Sequence, residues 1–239
     1  MCHSFTVSLL PYSLRNNGLT EDSCAALTLA VEGNNSLRDL DLSKNKLSGK
    51  DLNKLLEVLS APACRIERLG LQEAKLTLEY TESFLSLTNN PNLVSLNISS
   101  NFFGDAGYPH IQKLILEHPS LREISLRNNG LTELSCLPMA LAVSENTSLR
   151  DLDLSKNKLA GEDFYQLLKV LSAPTCRIEL ILLFVLQLSS LDCLPMALAV
   201  SENTSLRDLD LSKNKLAGED FYQLLEVLSA PTCRIECLA

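Results

Sequence analysis

One spacing constrains this chain more than any bulk property. The pattern L-x-x-L-x-L-x-x-N-x-L recurs eight times, starting at residues 9, 37, 66, 93, 121, 149, 178 and 206, at intervals of 28, 29, 27, 28, 28, 29 and 28. The cleanest copy is Leu37, Leu40, Leu42, Asn45 and Leu47; the first reads Leu9, Tyr12, Leu14, Asn17 and Leu19. Two copies lack the asparagine, carrying Ala74 and Leu186 instead. Such a period means one small unit stacked many times, because a single unit cannot bury its own apolar face. It also accounts for the leucine content, 53 of 239 residues, about 22%.

Each unit has the same grammar. The L-x-L stretch alternates with the period of a strand, leucines to one side and polar residues to the other. A helical stretch follows, such as 51–60, where Leu52, Leu55, Leu56 and Leu59 fall on one face. Pro62, Pro174 and Pro231 stand just past such helices and stop them. The predicted fold class is therefore α/β, a single array over residues 1–239 with parallel strands on a concave face and helices on a convex one. Ile235 and Leu238 occupy framework positions of an incomplete ninth unit, and 1–8 supply no polar shield, so both ends are expected to be uncapped. A fragment or isoform of a longer protein, or an arc capped by a partner, is the expectation that follows.

This is the leucine-rich-repeat signature, and the units come in two alternating kinds. One carries Gly-Leu-Thr-Glu and a helix like 137–142; the other carries Ser-Lys-Asn-Lys-Leu, a glycine such as Gly161 and an ending Leu171-Ser172-Ala173-Pro174-Thr175-Cys176-Arg177. That alternation resembles the ribonuclease-inhibitor class, a partial-horseshoe solenoid. The L-x-x-P-x-C ending resembles the repeat arrays of NOD-like receptors, the NACHT and leucine-rich-repeat family. The resemblance implies a cytosolic, non-catalytic protein-interaction array that meets a protein partner or a NACHT-type domain of the same longer chain, with an innate-immune role. The rival is a free-standing inhibitor like ribonuclease inhibitor. It also implies that each repeat asparagine bonds backbone groups of the turn after its strand, forming a ladder that Ala74 and Leu186 would interrupt. No G-x-x-x-x-G-K-[ST] loop is present, so nothing about nucleotide hydrolysis carries over.

Other functional classes find little support. A net charge of −8 disfavours nucleic acid or an anionic membrane as the main partner. The longest apolar run, 180–186, is too short to span a bilayer, and 1–7 lack the basic start of a secretory signal. No catalytic, cofactor or metal motif appears, and no small-molecule substrate is evident. His3, His110 and His118 are expected on the surface. Cys24, Cys136 and Cys193 recur at one phase and Cys64, Cys176 and Cys233 at another, which suits buried free thiols in a reducing compartment. The sequons at Asn34, Asn97, Asn146 and Asn203 are expected to stay unmodified.

The candidate contact surface is the concave strand face. Its side chains are Arg38, Asp39, Asp41 and Lys44; Glu67 and Arg68; Arg122, Glu123 and Arg127; Arg150, Asp151, Asp153 and Lys156; and Arg207, Asp208, Asp210 and Lys213. They make a mixed-charge lattice, which either meets a partner or is simply a solvated face with weak neighbouring ion pairs.

Residues 136–180 and 193–237 are identical at 43 of 45 positions, and 14–67 match 126–179 at 39 of 54, so the duplicated unit is a repeat pair. Between the near-identical blocks, 182–188 read Leu-Leu-Phe-Val-Leu-Gln-Leu where the upstream counterpart, 125–131, reads Ser-Leu-Arg-Asn-Asn-Gly-Leu. Two readings exist: a hydrophobic patch on the concave face, or non-coding sequence read through a splice acceptor. The sequence favours the second.

Overall fold

In the computed structural model, which describes residues 13–239, the strands form one open sheet. They are β1 Asp39–Asp41, β2 Arg68–Gly70, β3 Ser95–Asn97, β4 Glu123–Ser125, β5 Asp151–Asp153, β6 Leu180–Leu182, β7 Asp208–Asp210 and β8 Cys237–Leu238. All neighbours are parallel and the spatial order is the chain order. Upstream, Ser13 bridges to Asp41. Leu9 and Tyr12 of the first repeat lie outside the described residues.

Helices return the chain between strands: α1 Glu21–Glu32, α2 Lys50–Leu59, α3 Thr81–Leu85, α4 Gly104–Glu117, α5 Cys136–Glu145, α6 Phe164–Ser172, α7 Cys193–Glu202 and α8 Glu219–Ser229. The leucines of 51–60 behave as their spacing predicts: Leu52, Leu55, Leu56 and Leu59 are all buried. The third repeat departs from one regular helix per unit. Its α3 is flanked by 3-10 turns at Leu78–Tyr80 and Ser86–Asn89. The hydroxyls of Thr81, Ser86 and Thr88 donate to the carbonyls of Leu78, Ser83 and Leu85 at 2.6–2.8 Å, which competes with regular helical bonding.

The asparagine ladder is present. Asn45 Nδ2 donates to the carbonyls of Leu14 and Leu42 (2.9 and 2.8 Å), while its Oδ1 accepts from the backbone of Asn17 and Leu19 (3.1 and 3.0 Å). Asn101, Asn157 and Asn214 repeat this bridge to the preceding unit. Ala74 and Leu186 therefore leave one-sided gaps. Their own N–H groups are still served by Asn101 and Asn214. The units before them lose an acceptor, and Leu47 N–H turns instead to the Ala74 carbonyl at 3.3 Å.

A second ladder runs through three of the sequon asparagines and Asn90. Asn34, Asn90, Asn146 and Asn203 each stand three residues before the first leucine of a repeat. Asn146 Oδ1 accepts from Ser148 and Leu149 N–H (2.8 and 2.6 Å), and its Nδ2 donates to the Ile115 carbonyl at 2.6 Å. Asn203 does the same with Ser205, Leu206 and Leu171. His118 occupies this phase before the fifth repeat, which corrects the expectation of a surface histidine. It is 2% exposed. Its Nδ1 accepts from Ser120 and Leu121 N–H (3.2 and 3.1 Å), and Nε2 faces the Leu87 carbonyl without closing a bond. Burial holds the ring neutral, pushing its pKa down to about 4.

The two repeat kinds are coupled. The glutamate of Gly-Leu-Thr-Glu, Glu21, lies against Gly49 of the next unit and accepts from Lys50 and Asp51 N–H, capping α2. Gly49 has φ +152° and Gly161 has φ +154°, and a side chain on either would collide with Glu21 or Glu133 respectively. At the first of these junctions a pair of repeats thus shares a helix cap. At the third such junction Gly218 faces only Ser190.

Candidate partner-binding face

The strand face divides into three bands. At the strand starts, one arrangement is built three times: Arg38 with Glu67 (3.4 Å), Arg150 with Glu179 (3.5 Å) and Arg207 with Glu236 (3.6 Å). Each arginine also donates through Nη1 to two carbonyls of its own turn, such as Thr147 and Leu149 for Arg150. Arg68 spans back to Asp39, with Nη2 to Oδ2 at 3.0 Å. These guanidinium groups are tethered, and the partly exposed pairs contribute ~0–1 kcal/mol each.

The middle band corrects the expected face. Asp39, Asp41 and Asp153 are buried, only 2% and 4% exposed for the last two, so they present no free carboxylate to a partner. Asp41, Asp153 and Asp210 turn back to accept from the N–H of Ser43, Ser155 and Ser212 at 2.8–2.9 Å, closing the turn after the strand. Asp153 Oδ2 also accepts from Ser125 Oγ (2.8 Å), which meets Ser99 Oγ (2.7 Å), which donates to Asn97 Oδ1 (2.7 Å). A polar chain thus crosses three repeats. The sequence signal for it was the short polar residue at alternate strand positions, read above as surface. Glu67, Glu123, Asp151 and Asp208 stay half-buried, and Arg122 is exposed.

The third band is the turn after each strand, where the backbone enters the left-handed region at Asn16, Lys44, Glu73, Ser100, Asn128, Lys156, Val185 and Lys213. Lys44, Lys156 and Lys213 are exposed here, with Arg127 beside them half-buried. Lys44 is 4.0 Å from Glu73. Phe184, half-buried, was missed as a contact candidate: Arg127 lies 5.0 Å and Lys213 5.2 Å from its ring centroid.

The thiols are structural in character. Cys24, Cys64, Cys136, Cys176 and Cys193 are free and buried, and Cys233 is free and half-buried. Burial, helped by nearby carboxylates, pushes Cys24 up to about 11 and Cys136 to about 12, so neither is a ready nucleophile. Among the described residues no helix is long and apolar enough to cross a membrane.

Comparison with known proteins agrees with this geometry. Residues 33–56, 89–107, 145–163 and 202–220 match the family described as Leucine Rich repeat. NACHT, LRR and PYD domains-containing protein 12 of Homo sapiens is 32% identical over 94% of this chain and 21% of that protein. Ribonuclease inhibitor of Sus scrofa is 32% identical over 98% of this chain and 52% of that protein. The chain thus spans about a fifth to a half of the relatives it matches. The solved leiomodin-1 actin-binding site 2 shares the fold, with a TM-score of 0.50 at 16% identity over 64% of this chain and 87% of that one. A continuous parallel sheet, an asparagine ladder, paired repeats and these relatives agree: the chain is an array of leucine-rich repeats of the ribonuclease-inhibitor type, similar to the repeats of NACHT/LRR proteins.

Proposed function

We propose that this array is a non-catalytic protein-binding scaffold, working in the cytosol as the repeat portion of a NOD-like-receptor-type innate immune protein. The observation that carries the binding role is the eight-stranded face itself. Neighbouring strands stack ~4.8 Å apart, so the face offers a long, rigid row of charged side chains. The buried free thiols favour the cytosol. The free-standing inhibitor is kept as the second reading because the match to ribonuclease inhibitor covers 98% of this chain.

Two experiments test this. Affinity capture compares the wild type with Arg122→Glu/Asp208→Lys on the strand face and with Lys113→Glu on α4. The scaffold reading expects a protein lost by the first variant and kept by the second; equal retention by both counts against the strand face. Sequencing the full transcript separates the finer readings. An upstream NACHT module in the same reading frame supports the receptor, and a capped repeat-only chain supports the inhibitor.

A further inference from the structure

The turn band holds an imbalance. Elsewhere on this face each arginine or lysine in the repeated pairs has a carboxylate: Arg38 has Glu67, Lys44 has Glu73, Arg150 has Glu179 and Arg207 has Glu236. Arg127, Lys156 and Lys213 have no ion pair among the described residues, although the chain as a whole carries net charge −8. The carboxylates nearest Lys156 and Lys213 in sequence, Asp153 and Asp210, are committed to the backbone of Ser155 and Ser212. Two of these cations flank one aromatic ring, and the third bonds through its backbone to the same residue. Phe184 lies between Arg127 and Lys213, and its carbonyl accepts from Lys156 N–H at 2.7 Å. Leu182, Phe184 and Val185 are all half-buried and stand where the adjoining repeat has Asp153, Ser155 and Lys156.

The segment is also well seated as a scaffold element. β6 pairs with β5 and β7 in register, and Leu180, Ile181, Leu183, Leu186 and Leu188 are buried. The apolar residues that remain in reach of solvent are therefore the ones on the strand face and turn. An aromatic ring with arginine beside it, bordered by unpaired cations, has the composition of an interface anchor.

We propose that Phe184, Arg127, Lys156 and Lys213 form the anchoring point for an acidic segment of a protein partner. Its carboxylates pair with the three cations while an apolar side chain covers the ring and Leu182. This rests on the reading that the strand face binds protein, and it names the chemistry of what binds there.

The test uses the full chain and a synthetic 12-residue peptide of alternating Glu and Leu-containing steps, followed by fluorescence polarisation. A twin with every Glu replaced by Gln is the control. Expected are binding that weakens as salt rises and at least tenfold weaker binding of the twin. Arg127→Glu/Lys213→Glu should lose tenfold or more, and Phe184→Ala several-fold. Phe184→Leu, which keeps an apolar side chain in place, should retain more affinity than Phe184→Ala if the fold is intact. Absent binding, or unchanged affinity in the double charge variant, would overturn the proposal. Concentration-dependent self-association lost in the same variant would overturn it too, assigning the patch to a second copy. If a captured natural partner is lost by Arg122→Glu/Asp208→Lys but kept by Arg127→Glu/Lys213→Glu, the scaffold reading stands and this site falls.

Discussion

The repeats that begin at residues 121 and 178 carry identical helices, Cys136–Glu145 and Cys193–Glu202, behind different strands and turns. The first has every polar device of the fold: Ser125 in the cross-repeat chain, Asn129 in the ladder, Gly130 in a left-handed turn and Glu133 against Gly161. The second has Leu182, Leu186, Gln187 and Ser190 at those places, and yet β6 keeps register with both neighbours. The lesson is a division of labour. Buried leucines at the framework positions suffice for the architecture, while asparagines, glycines and capping glutamates add local stability. A repeat relieved of those duties is free to present a ring and two more apolar side chains.

Making the first repeat resemble the second should cost most. Asn129→Leu removes the acceptor for Asn101 and Phe102 N–H, both made by Oδ1 at 2.8 and 3.1 Å. Two stranded donors at ~1–3 kcal/mol each predict a loss of about 3 kcal/mol or more in chemical denaturation. A loss under about 1 kcal/mol would mean that water serves these groups and the ladder is dispensable.

Next in size is a pH effect confined to the first repeat, which is entered through His118, whereas Thr175 holds the corresponding place before the second. The folded His118 pKa of about 4 lies below the ordinary 6.5. The unfolded chain therefore protonates first as pH falls. The stability contribution is full above pH 6.5 and declines by ~1.4 kcal/mol per unit between there and pH 4. Denaturation measured against pH should show this slope in the wild type, and His118→Asn should flatten it while preserving the capping bonds.

Smaller gains are expected from giving the second repeat what it lacks. Val185 is a β-branched residue at φ +56°, where the sister repeats have Asn128 and Lys156. Val185→Asn should stabilise by ~1 kcal/mol, read as a higher melting temperature. Ser190→Glu should add ~0.5–1 kcal/mol by capping α8 beside Gly218, as Glu21 caps α2. If both substitutions are neutral, the second repeat has accommodations of its own and the division of labour is less sharp.

Much of this was legible beforehand, because the pattern is periodic and periodicity reports which side of an element faces the core. The strands fall at the L-x-L stretches, and α2 buries the four leucines its spacing marks. What escaped depended on contacts between units. Asp41 and Asp153 look like surface carboxylates in a strand alternation, yet tertiary neighbours cover them. Asn146 and Asn203 sit in sequons, and only the preceding helix shows where their amides go. His118 escaped for the same reason, its clue being a shared phase with asparagines three residues before a leucine. The broken helix at Thr81–Leu85 was foreshadowed only by hydroxyl residues and the shortest interval. Phe184 stood out in the sequence as an anomaly, and its two cations come from repeats on either side.

The central claim is that the strand face, rather than the helix side, meets a protein partner. Amine-reactive crosslinking of a captured complex tests it directly, because exposed lysines stand on both sides. Crosslinks are expected from Lys44, Lys156 and Lys213, with Lys113 of α4 and Lys169 of α6 left unmodified by the partner. Crosslinks concentrated on Lys113 and Lys169, with the strand-face lysines silent, would contradict it.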